Sequence, residues 1–61
     1  MRTHFWDADG NDFHIISLET DGDFSPGDEV EVCNEPCVVE RVHHKLTGRN
    51  ESLHVFVREQ R

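Results

Sequence analysis

What most constrains this chain is how often its apolar runs are cut off. Val, Ile, Phe and Trp gather in short runs, and each run gives way within about ten residues to a cluster of Gly, Pro, Asn or Asp. Helical periodicity is poor throughout, so the elements on offer are strands and turns. No internal repeat, heptad or low-complexity tract is present. Sixty-one residues make one domain, 1–61, and a chain of that size buries only about 60% of the surface it exposes when unfolded. Hydrophobic residues make up 34%, with four Phe, one Trp and no Tyr. That lines one small barrel or two-layer core and little else.

Five strands are predicted, near residues 2–6, 13–19, 28–33, 37–46 and 53–59. The first two flank Asp7-Ala8-Asp9-Gly10-Asn11-Asp12, whose Asp-Gly-Asn core tolerates positive φ and so marks a hairpin. Phe24-Ser25-Pro26-Gly27-Asp28 makes a further turn, and Glu29-Val30-Glu31-Val32 alternates as a strand with one wet face does. Asn34-Glu35-Pro36 reads as a three-residue hairpin loop, because Pro36 has no N–H for a ladder. In the fourth run Cys37 and Val39 share one parity while Val42, His44 and Leu46 share the other. A bulge near Glu40 and Arg41 reconciles them and bends the strand. Residues 47–52 read as a polar loop. The fold class expected is all-β, a five-stranded antiparallel small barrel or curled sheet in up-and-down order. Its core is expected to hold Val30, Val32, Val39, Val42, Leu46, Val55 and Val57, joined by Phe5 or Trp6, Ile16, Leu18 and Phe24.

The segment Phe24-Ser25-Pro26-Gly27-Asp28-Glu29-Val30-Glu31-Val32, followed by Val38-Val39-Glu40-Arg41-Val42-His43-His44, resembles the small SH3-like barrels of phage, plasmid and bacterial proteins. In those a Pro-x-Gly-Asp-x-Val-x-Val stretch precedes a strand of the form Val-x-x-Val-x-His. The resemblance covers about half the chain and implies structure more than function: Gly27 turns the chain, Asp28 bonds the turn's amides, and the valines line the core. Cys37 stands where a large aromatic often opens the fourth strand of that pattern.

Thirteen acids against six bases give a net charge of −7, which repels phosphate and makes nucleic-acid binding an unfavoured expectation. The charge is uneven. Residues 1–31 carry nine acids and one base, net −8, and residues 32–61 carry four acids and five bases, net +1. There is no apolar run of membrane-spanning or signal-peptide length, so a soluble, unprocessed, cytoplasmic protein without a membrane role is expected. Two cysteines are too few for a disulfide framework. With that setting Asn50-Glu51-Ser52 reads as a polar loop and not as a glycosylation site.

Several constellations bear on chemistry. Cys33 and Cys37 with His43, His44 and His54 offer zinc-type ligands, but only one short-spaced pair exists and adjacent His43 and His44 point to opposite faces of a strand. Three states of the cysteines stay open: free apolar residues flanking a turn, a cross-strand disulfide, or metal ligands. The Asp7 to Asp12 stretch fails the EF-hand pattern, with Asp12 where Gly is needed and Leu18 where Glu is needed, so a plain turn is expected. Cys37 beside His43 or His44 resembles a nucleophile and base, yet no oxyanion hole or orienting group accompanies them. No enzyme, no cofactor and no metal are expected.

Function is then a choice among binding modules. The leading expectation is a non-catalytic protein-interaction module that meets a protein partner or a second copy of itself through the N-terminal hairpin. There both parities carry apolar residues. Trp6, Phe13 and Ile15, rimmed by Asp7, Asp9 and Asp12, are the candidate surface. The alternative is a nucleic-acid or transcription-associated module using Arg41, Lys45, Arg49 and Arg58 of the basic half, with Phe56 as the aromatic among them. Mimicry of nucleic acid by the acidic half lacks the regular double row of charge that it requires.

Overall fold

Tight turns set the architecture. In the computed structural model, which describes residues 1–8 and 13–60, Cys33 and Asn34 take φ of 52° and 67° and make a two-residue hairpin of the type I′ kind. Gly48 takes φ 57° at the first central position of a second two-residue turn, the position where such hairpins favour glycine. Between Ser25 and Asp28, Pro26 and a left-handed Gly27 (φ 94°) turn the chain. Asp28 N donates to Ser25 O at 3.0 Å, and Ser25 N donates to Asp28 Oδ2 at 2.8 Å. The chain forms five strands, the last four of them connected through these turns: β1 (Arg2–Asp7), β2 (Phe13–Glu19), β3 (Glu29–Val32), β4 (Glu35–Thr47) and β5 (Asn50–Glu59). Among the described residues there is no helix, and so none long and apolar enough to cross a membrane.

The strands form one curled sheet in the order β2-β1-β5-β4-β3. Three neighbouring pairs are antiparallel, as expected, but β1 and β5 run parallel. The reason is parity: five strands that alternate in direction leave the first and last pointing the same way. The order observed is that of an up-and-down barrel opened between β2 and β3 instead of between β1 and β5. Residues 20–28 span that opening. From them Phe24 packs edge-on against Phe5, with ring centroids 5.5 Å apart.

The inner face holds Phe5, Val32, Cys37, Val39, Leu53, Val55 and Val57, with Met1, Ile16, Phe24, Val30 and Val42 packed against them. Most of the expected core is there, and of the two aromatics Phe5 is the one inside. Leu46 is 71% exposed and Leu18 45%. Leu46 pairs with Glu51 near the β4–β5 hairpin tip, beyond the stretch of β5 that β1 covers, and Leu18 lies on an edge strand. Thr3 takes up buried space instead: its hydroxyl shares a 2.6 Å hydrogen bond with Thr20 Oγ1, which also accepts from Gly22 N at 3.0 Å.

The bulge expected near Glu40 is present, since Val39 pairs with Val57 and Arg41 with Phe56. A second bulge lies in β2, where Phe5 pairs with Ile16 but Trp6 with His14, leaving Ile15 as the extra residue. The three-residue loop expected at Asn34–Pro36 is not formed. Pro36 sits in β4 opposite Glu31, and its carbonyl accepts from Gln60 N just past the end of β5, where a missing N–H costs no ladder bond. Cys37 consequently pairs with Val30, not Cys33, and both thiols are free. Because Cys33 is a side-chain-bearing residue in the left-handed region, Cys33→Gly is expected to stabilise the fold by about 0.5–1 kcal/mol in urea unfolding.

Candidate functional site

Register, more than any single residue, builds the candidate site. Along β1, Thr3 and Phe5 point inward, so His4 and Trp6 point outward; along β5, Leu53, Val55 and Val57 point inward, so His54, Phe56 and Arg58 point outward. The parallel pairing sets His4 against His54 and Trp6 against Phe56. Across the other edge of β5, His43 faces His54 and Arg41 faces Phe56; across β1, Ser17 faces His4 and His14 faces Trp6. Two adjacent rows therefore cross four strands: Ser17-His4-His54-His43 and His14-Trp6-Phe56-Arg41.

Both rows are in contact along their length. The His4 and His54 rings stack at 5.0 Å and 21°, and His43 lies 6.2 Å from His54. Trp6 and Phe56 stack at 6.1 Å and 20°, His14 meets the Trp6 ring edge-on at 5.1 Å, and the Arg41 guanidinium carbon sits 4.0 Å over the Phe56 ring. Ser17 Oγ bonds His4 Nδ1 at 2.6 Å and His14 Nε2 at 2.7 Å. Trp6 Nε1 donates to His54 Nδ1 at 3.1 Å, tying one row to the other. Trp6, His43, Lys45, His54 and Phe56 line an open trough of about 430 Å³.

The bond from Trp6 needs a lone pair on His54 Nδ1, hence a neutral ring. Burial first, then the charges of His4, His43 and Lys45, lower the His54 pKa from the usual histidine value. A histidine held low in the folded state lets the unfolded chain bind protons first, so stability is full above the ordinary histidine range and is lost as pH falls through it. Melting temperature is expected to fall between about pH 7 and pH 5, and His54→Asn, which keeps an acceptor for Trp6 without a titrating ring, is expected to flatten that decline.

A second depression, of about 250 Å³, lies at the open seam and is lined by Asp7, Ile15, Val32, Cys33, Glu35, Cys37, Val57 and Glu59. Burial, and after it Glu35, Glu59 and Asp7, push the Cys37 thiol up, the reverse of what activates a nucleophile. Cys37 faces inward while His43 faces outward, and His44 is held by Glu51 at 2.7 Å. Iodoacetamide is expected to label exposed Cys33 at least about tenfold faster than Cys37, read by mass spectrometry of the intact protein.

The residues of the expected apolar surface divide between the two faces. Trp6 lies in the outer rows. Asp7 and Ile15 line the seam, and Phe13, opposite Asp7, is 64% exposed. Asp9 and Asp12 lie outside the described residues. Of the basic set, Arg41 ends the aromatic row, Lys45 lines the trough, Arg49 is at the β4–β5 turn, and Arg58 pairs with Glu40 at 3.4 Å. Among the described residues no three His, Cys, Asp or Glu side chains converge on a metal position. Of the four histidines on this face, His4 and His14 belong to no site expected from the sequence, and His43 and His54 were candidates only for a zinc set with the cysteines, His43 also for a base beside Cys37, never for an outer-face row. Their signal was the repeated His-x-aromatic of His4-Phe5-Trp6 and His54-Val55-Phe56. Comparison with protein-family models, with curated proteins and with solved structures gives no match in any of the three.

Proposed function

We propose that the protein is a small, non-catalytic binding module that holds single-stranded nucleic acid on the outer face of its sheet. The observation that carries this is the aromatic row, with Trp6 and Phe56 side by side on adjacent strands and Arg41 at its end. Bases stack on sheet-borne aromatics largely without regard to sequence, while cationic side chains follow the phosphates. Arg41 at the end of the row and Lys45 in the trough supply that second element. The net charge of −7 is a weaker objection than it is for the bare sequence, because neither row contains a carboxylate, whereas Asp7, Glu35 and Glu59 cluster at the seam. Membership among the SH3-like barrels and a cytoplasmic setting belong to the same proposal, the latter supported by the free thiols.

The test is fluorescence anisotropy with a labelled oligothymidylate at low salt. Binding whose logarithm falls with log salt, by about 0.7 per phosphate neutralised on a single strand, is the expected result, with a shallower slope in Arg41→Gln and Lys45→Gln. Binding that is absent or insensitive to salt overturns the reading.

A second reading, docking to a protein partner or a second copy, is favoured by β2. It is a sheet edge, and Phe13, Ile15 and Leu18 are exposed along it, the arrangement that invites strand addition. Concentration-dependent sedimentation that disappears in Leu18→Lys is the outcome that supports it.

A further inference from the structure

Four of the five histidines of this chain lie on one face, contributed by four different strands. His54 is the centre of the group. From β1 it is faced by the stacked ring of His4 and the indole N–H of Trp6; from β4 by His43 and Lys45; along β5 by Ser52, whose hydroxyl lies 3.5 Å from His54 Nε2. From β2, His14 covers the edge of Trp6 and shares Ser17 with His4. The titratable groups around His54 are thus bases, and every proton the group takes up adds a positive charge to a face that already presents Arg41 and Lys45.

We propose that this histidine group makes the hold of the outer face on single-stranded nucleic acid proton-dependent, tightening it as the medium acidifies. The inference rests on the nucleic-acid reading above and assigns that site its regulation. Clustered imidazolium rings repel one another in the free protein, and phosphates laid across them relieve the repulsion. Ligand and protons therefore bind cooperatively, each raising the affinity for the other by the same factor. Burial first, and after it the charges of His4, His43 and Lys45, lower the His54 pKa, so the neighbouring bases contribute to the shift without being its main cause. Protonation of His54 also removes the acceptor of the Trp6 Nε1–H, so the single tryptophan reports the transition through its own fluorescence.

The experiment is the anisotropy assay repeated at fixed ionic strength from about pH 7.5 to pH 5.5, with circular dichroism at each pH as a check on folding. Oligothymidylate is the probe because thymine does not titrate in this range. The wild type is expected to bind about tenfold or more tighter at the acid end. The quantity compared across variants is the ratio of affinities at the two pH values, which is expected to shrink to within about twofold in the triple variant His4→Gln, His43→Gln, His54→Asn. Exposed His43 gives a milder single variant, His43→Gln, whose ratio is expected to fall between the two. An unchanged ratio in both variants overturns the proposal. Binding by the wild type that ignores pH overturns it while leaving the nucleic-acid reading in place, and no binding at either pH overturns both.

Discussion

Trp6→Leu is expected to weaken oligothymidylate binding by about 5- to 100-fold, the equivalent of losing one base stacked on an aromatic ring. Leu preserves apolar area beside Phe56 and His14 but offers no flat π-face, and it cannot donate to His54. The loss should therefore appear in affinity more than in folding. Anisotropy gives the affinity, and a thermal melt of the same sample separates the two effects. Phe56→Leu is expected to act in the same direction, and because Arg41 lies over Phe56 at 4.0 Å it should also reduce the salt slope. Equal binding by Trp6→Leu and the wild type would remove the aromatic row from the site.

The largest effect on stability is expected from Val55→Ala, at about 2–3 kcal/mol. Val55 is 0% exposed and lies between Phe5 on β1 and Val42 on β4, where the sheet is continuous on both sides and cannot collapse into a cavity. A domain of this size has only about 3–9 kcal/mol in total, so the urea midpoint should drop by about a fifth or more. Leu46→Ala is the contrasting case. Leu46 is an apolar residue of an adjacent strand but is mostly exposed near the hairpin tip, and its replacement is expected to stay within about 0.5 kcal/mol of the wild type.

The strands and the Glu40 bulge were legible because both are local. Alternation at Glu29-Val30-Glu31-Val32 and the change of parity between Val39 and Val42 are written in consecutive residues. The turn lies at Cys33-Asn34 and not at Asn34–Pro36, because Pro36, a loop residue by its local sequence, is accommodated in β4. Only the end of β5 at Glu59 shows that its missing N–H is harmless in a strand. Where a five-stranded barrel opens is not a local property at all. It depends on residues 20–28 covering the seam between β2 and β3, with Phe24 on Phe5, and on β1 finding β5.

That non-local choice also hid the site. His-x-Trp and His-x-Phe stand nearly fifty residues apart, and Arg41-Val42-His43 carries the matching spacing on β4. Nothing in the sequence says that these three stretches lie side by side. The parallel register of β1 on β5 aligns the first two, and the Glu40 bulge shifts β4 so that Arg41 and His43 fall opposite Phe56 and His54. Without the bulge the basic residues of β4 would face the core, as Cys37 and Val39 do. The apolar surplus of β2 has a similar origin: the bulge at Ile15 turns that side chain to the seam, beside Val32 and Cys37, while Ile16 keeps its place against the core.

The most direct measurement is an amide and side-chain NMR titration of the isotope-labelled protein with oligothymidylate at low salt. If the outer rows hold the ligand, shift changes concentrate on His4, Trp6, Arg41, His43, His54 and Phe56, with the Trp6 indole N–H moving most as its bond to His54 adjusts. Changes confined to the seam around Ile15, Val32 and Cys37, or no change at saturating oligonucleotide, would contradict it.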